Sequence, residues 1–385
     1  MLSFVLLSGS VLCACGSGGT TASGTNNPPP PTQTATATPT ITTASAQGGA
    51  SIVTIADTTS GATIYYTLDG STPTTSSQVY QTPFLVSSSM TVNALAASSG
   101  NANSSVASQN VSASVASGTL VWSDEFNEAS GGSASVAPDA KTWAYDTGFQ
   151  CCGNNEQETY CAPTSNTSPC STSNPNAFVG TDGYLHVVAM NPSGTTYTSA
   201  RLKTQGLFSF MYGRIEAKMK LPESQGMWPA FWLLGNNITK VSWPACGELD
   251  VMEHIDGSAP PASAGGPSLG YDWIAGSVHG GTSGSAELNG SQTYHPTGFS
   301  AADWHVYGMI WKKGEIDYYV DSPTNIYATF KSTDATWANN MWPFDAGPQF
   351  VILNLAVGGT WPGPVDSTTV FPSTMLVDYV HIYAN

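Results

Sequence analysis

The clearest hydrophobic rhythm lies at Arg214-Ile215-Glu216-Ala217-Lys218-Met219-Lys220-Leu221, where polar and apolar residues alternate without a slip. A period of two puts successive side chains on opposite faces, so this segment predicts a half-buried strand. Val306-Tyr307-Gly308-Met309-Ile310-Trp311, the turn Lys312-Lys313-Gly314-Glu315 and Ile316-Asp317-Tyr318-Tyr319-Val320 predict a strand pair joined by a tight turn. Nearer the start, Ala62-Thr63-Ile64-Tyr65-Tyr66 and Met90-Thr91-Val92-Asn93-Ala94-Leu95 are short alternating segments bounded by turn residues. No long 3.6-residue period, no βαβ alternation and no phosphate-binding glycine pattern occurs. The pattern predicts an all-β chain of antiparallel sheets packed face to face.

At 385 residues the chain exceeds one ordinary domain. Residues 1–15 hold an apolar run too short to span a bilayer, ending in Leu12-Cys13-Ala14-Cys15. This resembles a bacterial lipoprotein signal, in which Cys15 would carry the lipid and tether the protein at the outer membrane or cell surface. No Lys or Arg precedes Lys141, unlike the basic opening of such signals, so a simple export signal is the alternative. Residues 16–40, rich in Gly, Ser, Thr and Pro, predict a disordered linker. Residues 41–115 predict a small β-sandwich module, and 116–385 a larger β-domain. The centre of the small module, Tyr66-Thr67-Leu68-Asp69-Gly70-Ser71-Thr72-Pro73, resembles the all-β module at the end of chitobiases. A spacer role suits it as well as carbohydrate binding.

Only 9% of residues are charged, and the formal net charge is −16, which excludes phosphate-backbone binding and hence a nucleic-acid partner. Polarity comes from neutral side chains, beside 11 Trp, 16 Tyr and 13 Phe. Hydroxyl-binding groups next to flat aromatic faces suit sugar. Seven cysteines point to an exported, oxidised protein. Two disulfides are expected among Cys151, Cys152, Cys161 and Cys170, with the adjacent Cys151 and Cys152 not bonded to each other. Zinc is disfavoured because there is no paired CxxC and no nearby His.

The chemistry concentrates at Gly247-Glu248-Leu249-Asp250-Val251-Met252-Glu253-His254. In a regular strand Glu248 and Asp250 share a face and Glu253 falls on the other. One β-bulge near Val251 and Met252 would bring all three acids to one side. No Lys or Arg lies between Lys240 and Lys312 to neutralise them. A solvated acidic face is the ordinary fate of such a cluster. Glycoside cleavage supplies a reason to hold it, since one carboxylate attacks C1 and a protonated one releases the leaving oxygen. Mutual repulsion would keep one proton bound near neutral pH.

The chain resembles glycoside hydrolase family 16, in particular its laminarinase-like endo-β-1,3-glucanases, whose Glu-x-Asp-x-x-Glu strand follows Trp-Pro-x-x-Gly as it does at Trp243 to Glu253. Trp122-Ser123-Asp124-Glu125-Phe126, Gly153-Asn154-Asn155-Glu156, Thr198-Ser199-Ala200-Arg201, Gly226-Met227-Trp228-Pro229 and Asp378-Tyr379-Val380-His381 continue the match. The resemblance implies a β-jelly-roll sandwich, a β-glucan substrate and a retaining double displacement needing no cofactor. Glu248 would be nucleophile, Glu253 acid and base, and Asp250 the group tuning the proton between them.

By the same resemblance Arg201 and Asn154 would bind sugar hydroxyls and His279 would lie at the cleft, where a plain strand His is the alternative. Trp228, Trp232 and Trp243 are each either sugar platforms or core. Gly280 replaces the aromatic that usually follows that His. Some relatives hold structural calcium at positions matching Glu125 and Asp378, which otherwise read as surface acids. A monomer acting on polysaccharide is expected. The competing readings are family activities on agarose, carrageenan, mixed-linkage glucan or chain transfer, and a non-catalytic glucan-binding protein.

Overall fold

The computed structural model describes residues 33–255, 272–338 and 341–385. The segment 1–15, Cys15 and residues 16–32 therefore lie outside the described residues. One antiparallel sheet carries, in spatial order, Leu288–Tyr294, Ile274–Gly280, Glu248–Glu253, Met227–Gly235, Gln349–Val357, Arg201–Lys203 and Ala144–Asp146. A second carries Ala177–Val179, Leu185–Ala189, Ser373–Tyr383, Gly213–Lys220, His305–Lys312, Glu315–Val320 and Ile326–Lys331, with Leu120–Asp124 added alongside Ser373–Tyr383.

The alternation in Gly213–Lys220 does what its period dictates. Ile215, Ala217 and Met219 are fully buried between the sheets, while Arg214 and Lys218 stay on the outer face. Glu216 is outward in register yet buried, because Tyr319 and Tyr383 hydroxyls donate to it and Arg214 pairs with it. The hairpin closes with Lys312 opposite Glu315, where the charge-rich turn was expected. Phe231, Leu249, Val251, Leu353 and Leu355 from one sheet meet Met309, Trp311, Ile316 and Tyr318 from the other in one core. Each such side chain contributes about 1.5–3 kcal/mol of transfer free energy, so this layer dominates the stability of the fold.

The accessory module is a second, smaller sandwich. Thr40–Ser45, Ser51–Ala56 and Phe84–Val86 form one sheet, and Gln78–Val79, Thr63–Thr67, Ser88–Ala97 and Ala107–Ser114 the other. Its core is Val53, Ile55, Tyr66, Phe84, Val86, Val92, Ala94 and Val111. Asp69 Oδ1 accepts from the backbone N–H of Ser71 at 3.0 Å, the turn chemistry its sequence promised. The module begins earlier than position 41: the Thr36 hydroxyl donates to Ala102 O at 2.9 Å and the Ala37 N–H to the Thr59 hydroxyl at 2.9 Å. Polar composition concealed this because the contacts are made by hydroxyls and backbone rather than by an apolar stripe.

The cysteines pair as Cys151–Cys152 and Cys161–Cys170, with Cys246 free and buried. Two disulfides were expected, but the bond between sequence neighbours was not. It closes within a turn of positive-φ residues, Gly148 at 119°, Gln150 at 47° and Gly153 at 113°.

Candidate active site

The acids are placed by a register fault. Glu248 lies opposite Leu234, Leu249 opposite Leu233 and Asp250 opposite Trp232, but Met252 faces Phe231 and Glu253 faces Ala230. Val251 is the unpaired extra residue. Both Val251 and Met252 point into the core, which returns Glu253 to the face of Glu248 and Asp250. The bulge expected from sequence is present where it was needed. The strand is entered through Gly247 at φ 79°, with Phe344 and Pro343 packed so close that a Cβ would lie 3.0 and 3.2 Å from them. Only glycine meets both demands, which accounts for the last residue of Trp-Pro-x-x-Gly.

Two indoles hold the outer acids. Trp228 Nε1 donates to Glu253 Oε1 at 2.9 Å, and Trp243 Nε1 to Glu248 Oε2 at 3.1 Å. Trp243 is 46% exposed and Asp250 only 3%, so the middle carboxylate is sunk while one wall indole stands open to a ligand. His279, opposite Glu248 on the neighbouring strand, sets Nε2 3.0 Å from Asp250 Oδ2 and its Nδ1 against Glu287 Oε1.

This corrects the expectation of unneutralised acids. The positive charge comes from an imidazole rather than from Lys or Arg. Burial pulls His279 down, but the hydrogen bond and charge of Asp250, reinforced by Glu248 and Glu287, outweigh it and push the ring up to about 11. It is cationic at neutral pH. Burial and the charge of Asp250 push Glu253 up to about 8, against the pull of His279 and of the Trp228 N–H. Glu248 is also raised, by burial and by Asp250, with His279 and Arg201 pulling the other way. His279 and Arg201 favour negative charge at Glu248, and His279 and the Trp228 N–H favour it at Glu253, while burial and Asp250 raise both, so Glu248 and Glu253 titrate as a coupled pair.

Trp228 and Trp232 divide in role. The Arg201 guanidinium carbon lies 4.5 Å from the centre of the Trp232 ring, and Trp232 Nε1 donates to Asn354 Oδ1 at 2.7 Å. Trp232 is buried wall with one face covered, not an open platform. Trp228 packs edge-on against Trp361, which in turn meets Trp273. Arg201 is fixed by Asp146, its Nε 3.0 Å from Oδ2. Asn154 is exposed, its backbone N–H bound to Glu156 Oε2 at 2.8 Å and its carbonyl accepting from Thr360. Sequence reading missed Glu287, Asp146 and Asn354. The one available signal was the place of Glu287 at the start of the strand that returns beside His279.

Gly280 has a local cause. A Cβ there would lie 2.8 Å from Pro343 and 3.0 Å from Trp337, so those rings occupy the room an aromatic side chain would need. The residues matched to calcium do not fit an ion as they stand. Glu125 Oε1 is 2.8 Å from His381 Nε2, and Asp378 Oδ2 accepts from Lys218 Nζ at 2.8 Å. Among the described residues neither joins a cluster of three metal-ligating side chains.

A β-sandwich bearing a bulged row of carboxylates on its outer face, walled by indoles and carrying its own cation, defines a glycoside hydrolase. Residues 165–381 match the model of Glycosyl hydrolases family 16 and residues 42–108 that of the Chitobiase/beta-hexosaminidase C-terminal domain. The chain belongs to glycosyl hydrolases family 16, with the jelly-roll sandwich of that family. It is 36% identical over 275 residues to a beta-glucanase of Rhodothermus marinus, spanning 69% of this chain and 84% of that protein. It is 33% identical to glucan endo-1,3-beta-glucosidase A1 of Niallia circulans, over 70% of this chain but 38% of that longer protein. The solved laminarinase catalytic domain from Thermotoga maritima MSB8 superposes with a TM-score of 0.55 at 33% identity, covering 70% of this chain and 99% of that one.

Proposed function

We propose that this protein is a retaining endo-hydrolase of β-1,3-glucan, with mixed β-1,3(4)-glucan as a related substrate. The observation that carries the reading is the bulge at Val251, which sets Glu248 and Glu253 on one face. Glu248 attacks C1 of the bound sugar while Glu253 gives its proton to the departing glycosidic oxygen, and the C1–O bond breaks as the ester to Glu248 forms. Glu253, now a carboxylate, takes a proton from water. The resulting hydroxide displaces Glu248 from C1, restoring both groups and the original anomeric configuration. The His279 cation favours the carboxylate form of Glu248 when it attacks and when it leaves, and Asp250 holds that imidazole in place.

The similarity to a beta-glucanase, a glucan endo-1,3-beta-glucosidase and a laminarinase supports β-1,3-glucan over sulfated galactans. So does the state of the cations. Arg201 and Lys203 are both engaged by Asp146, and Arg214 lies on the other sheet with Glu216, so none stands ready for sulfate. The paired cysteines and the short apolar run before Cys15 support export, with Cys15 as the lipid attachment point.

The test uses laminarin with Glu248→Ala and Glu253→Ala. Each variant is expected to lose roughly 10²–10⁴-fold or more in reducing-end release. Azide should rescue Glu248→Ala to an α-glycosyl azide and Glu253→Ala to a β-glycosyl azide. Undiminished hydrolysis by either variant would falsify the assignment.

A further inference from the structure

The exposed segment that carries Trp243 is gripped from outside the catalytic domain. Among the described residues Ile238–Val241 is the only α-helix, a single turn of four residues. One turn is far below the length at which a helix holds itself in water. Its apolar side chains, Ile238 and Val241, rest on Trp232, Cys246, Phe350 and Ile352. Its polar side is held by the accessory module. Lys240 Nζ donates to the carbonyls of Thr75 at 3.0 Å and Ser77 at 2.8 Å, and sits 4.5 Å from the centre of the Tyr65 ring. The Gln81 side chain donates to the Thr239 hydroxyl at 2.9 Å. One cation thus meets two carbonyl dipoles and an aromatic face, all from one partner.

The grip continues to the catalytic carboxylate. Cys246 N–H donates to Ser242 O at 3.0 Å and Gly247 N–H to Pro244 O at 3.0 Å, so the turn after the helix is tied into the start of the acid strand. Between these bonds lies Trp243, whose indole reaches Glu248. The module is also joined to the large domain through backbone and core. Leu85 N–H donates to Ser209 O at 2.9 Å, Phe210 exchanges backbone hydrogen bonds with Gln349, and Gln349 lies opposite Gly235. Ala50 and Leu85 of the module belong to the core of the large domain.

We propose that the accessory module is a clamp on the glucan cleft: through Lys240 and Tyr65 it fixes the Ile238–Val241 turn and thereby positions Trp243 over Glu248. Lys240 and Tyr65 are positioning residues, acting through the turn that carries Trp243. The consequence for catalysis rests on Trp243 facing glucan, the reading given above, while the clamp itself does not.

The experiment compares the full chain with Lys240→Met, Tyr65→Leu and Lys240→Arg. Backbone amide exchange across 238–247 is expected to quicken about tenfold in the first two variants, with the 248–253 strand unchanged. On laminarin KM should rise about fivefold with kcat within about twofold, and Lys240→Arg should restore both exchange and KM. Unchanged exchange in Lys240→Met overturns the clamp. So does an unchanged KM accompanied only by a lower unfolding temperature, which would make the contact a plain structural joint. If the unaltered chain cleaves no β-glucan, faster exchange still supports the clamp and only the substrate reading falls.

Discussion

The indole N–H of Trp228 points at Oε1 of Glu253 from 2.9 Å, a hydrogen bond that favours the carboxylate over the acid there. Burial and the charge of Asp250 thus push Glu253 towards its acid form, with the charge of His279 and the Trp228 N–H limiting how far its titration rises.

The alkaline limb of kcat/KM on laminarin should therefore fall through an apparent pKa near 8, the value to which Glu253 is raised. Replacing Trp228 by Phe removes the donor and keeps the ring, so the limb should move to higher pH while the acid limb stays put. A pH–rate profile unmoved in Trp228→Phe would break the link between this bond and the proton.

The same groups set stability against pH. Glu253 titrates above its ordinary 4.5 and His279 above its ordinary 6.5, so in both the folded form binds the proton more tightly than the unfolded one. Their contribution is fully present below about pH 4.5 and 6.5, and it fades as pH climbs through 8 and towards 11. Urea midpoints should decline from pH 6 to pH 9. In Glu253→Gln the decline should be shallower, since one of the two groups no longer titrates.

Trp243 stands half open and donates to Glu248, so its loss has two parts. Trp243→Ala should lower kcat/KM on laminarin by about 10–100-fold, chiefly through KM. Trp243→Phe keeps a stacking face without the donor and should recover most of the KM. Equal damage by both variants would show that the hydrogen bond, not the ring, is what glucan binding uses.

Gly280 is a steric requirement, not a vacancy for the aromatic found in relatives. Gly280→Ala would press a methyl group against Pro343 and Trp337, costing about 1–3 kcal/mol in urea unfolding. A variant as stable as the parent would show that those rings can yield.

Alternation, turn residues and the parity of the acid strand were all legible in the chain because they are local. A strand's faces follow from counting by two, so Ile215, Ala217 and Met219 had to be inside, and Glu253 needed one extra residue to join Glu248 and Asp250. The sequence alone therefore determined the all-β class and the row of carboxylates, and its motifs, by their resemblance to a family, implied the jelly roll. It did not determine the charge on that row. The neutralising imidazole of His279, the Glu287 behind it and Arg201 on another strand reach the acids through sheet register and long loops. The Cys151–Cys152 bond and the hold of Lys240 on the module likewise arise from how separated segments close on each other. Periodicity reports which way a side chain faces; what it meets there is decided only when distant strands pack, and the titration of Glu253 follows from that meeting.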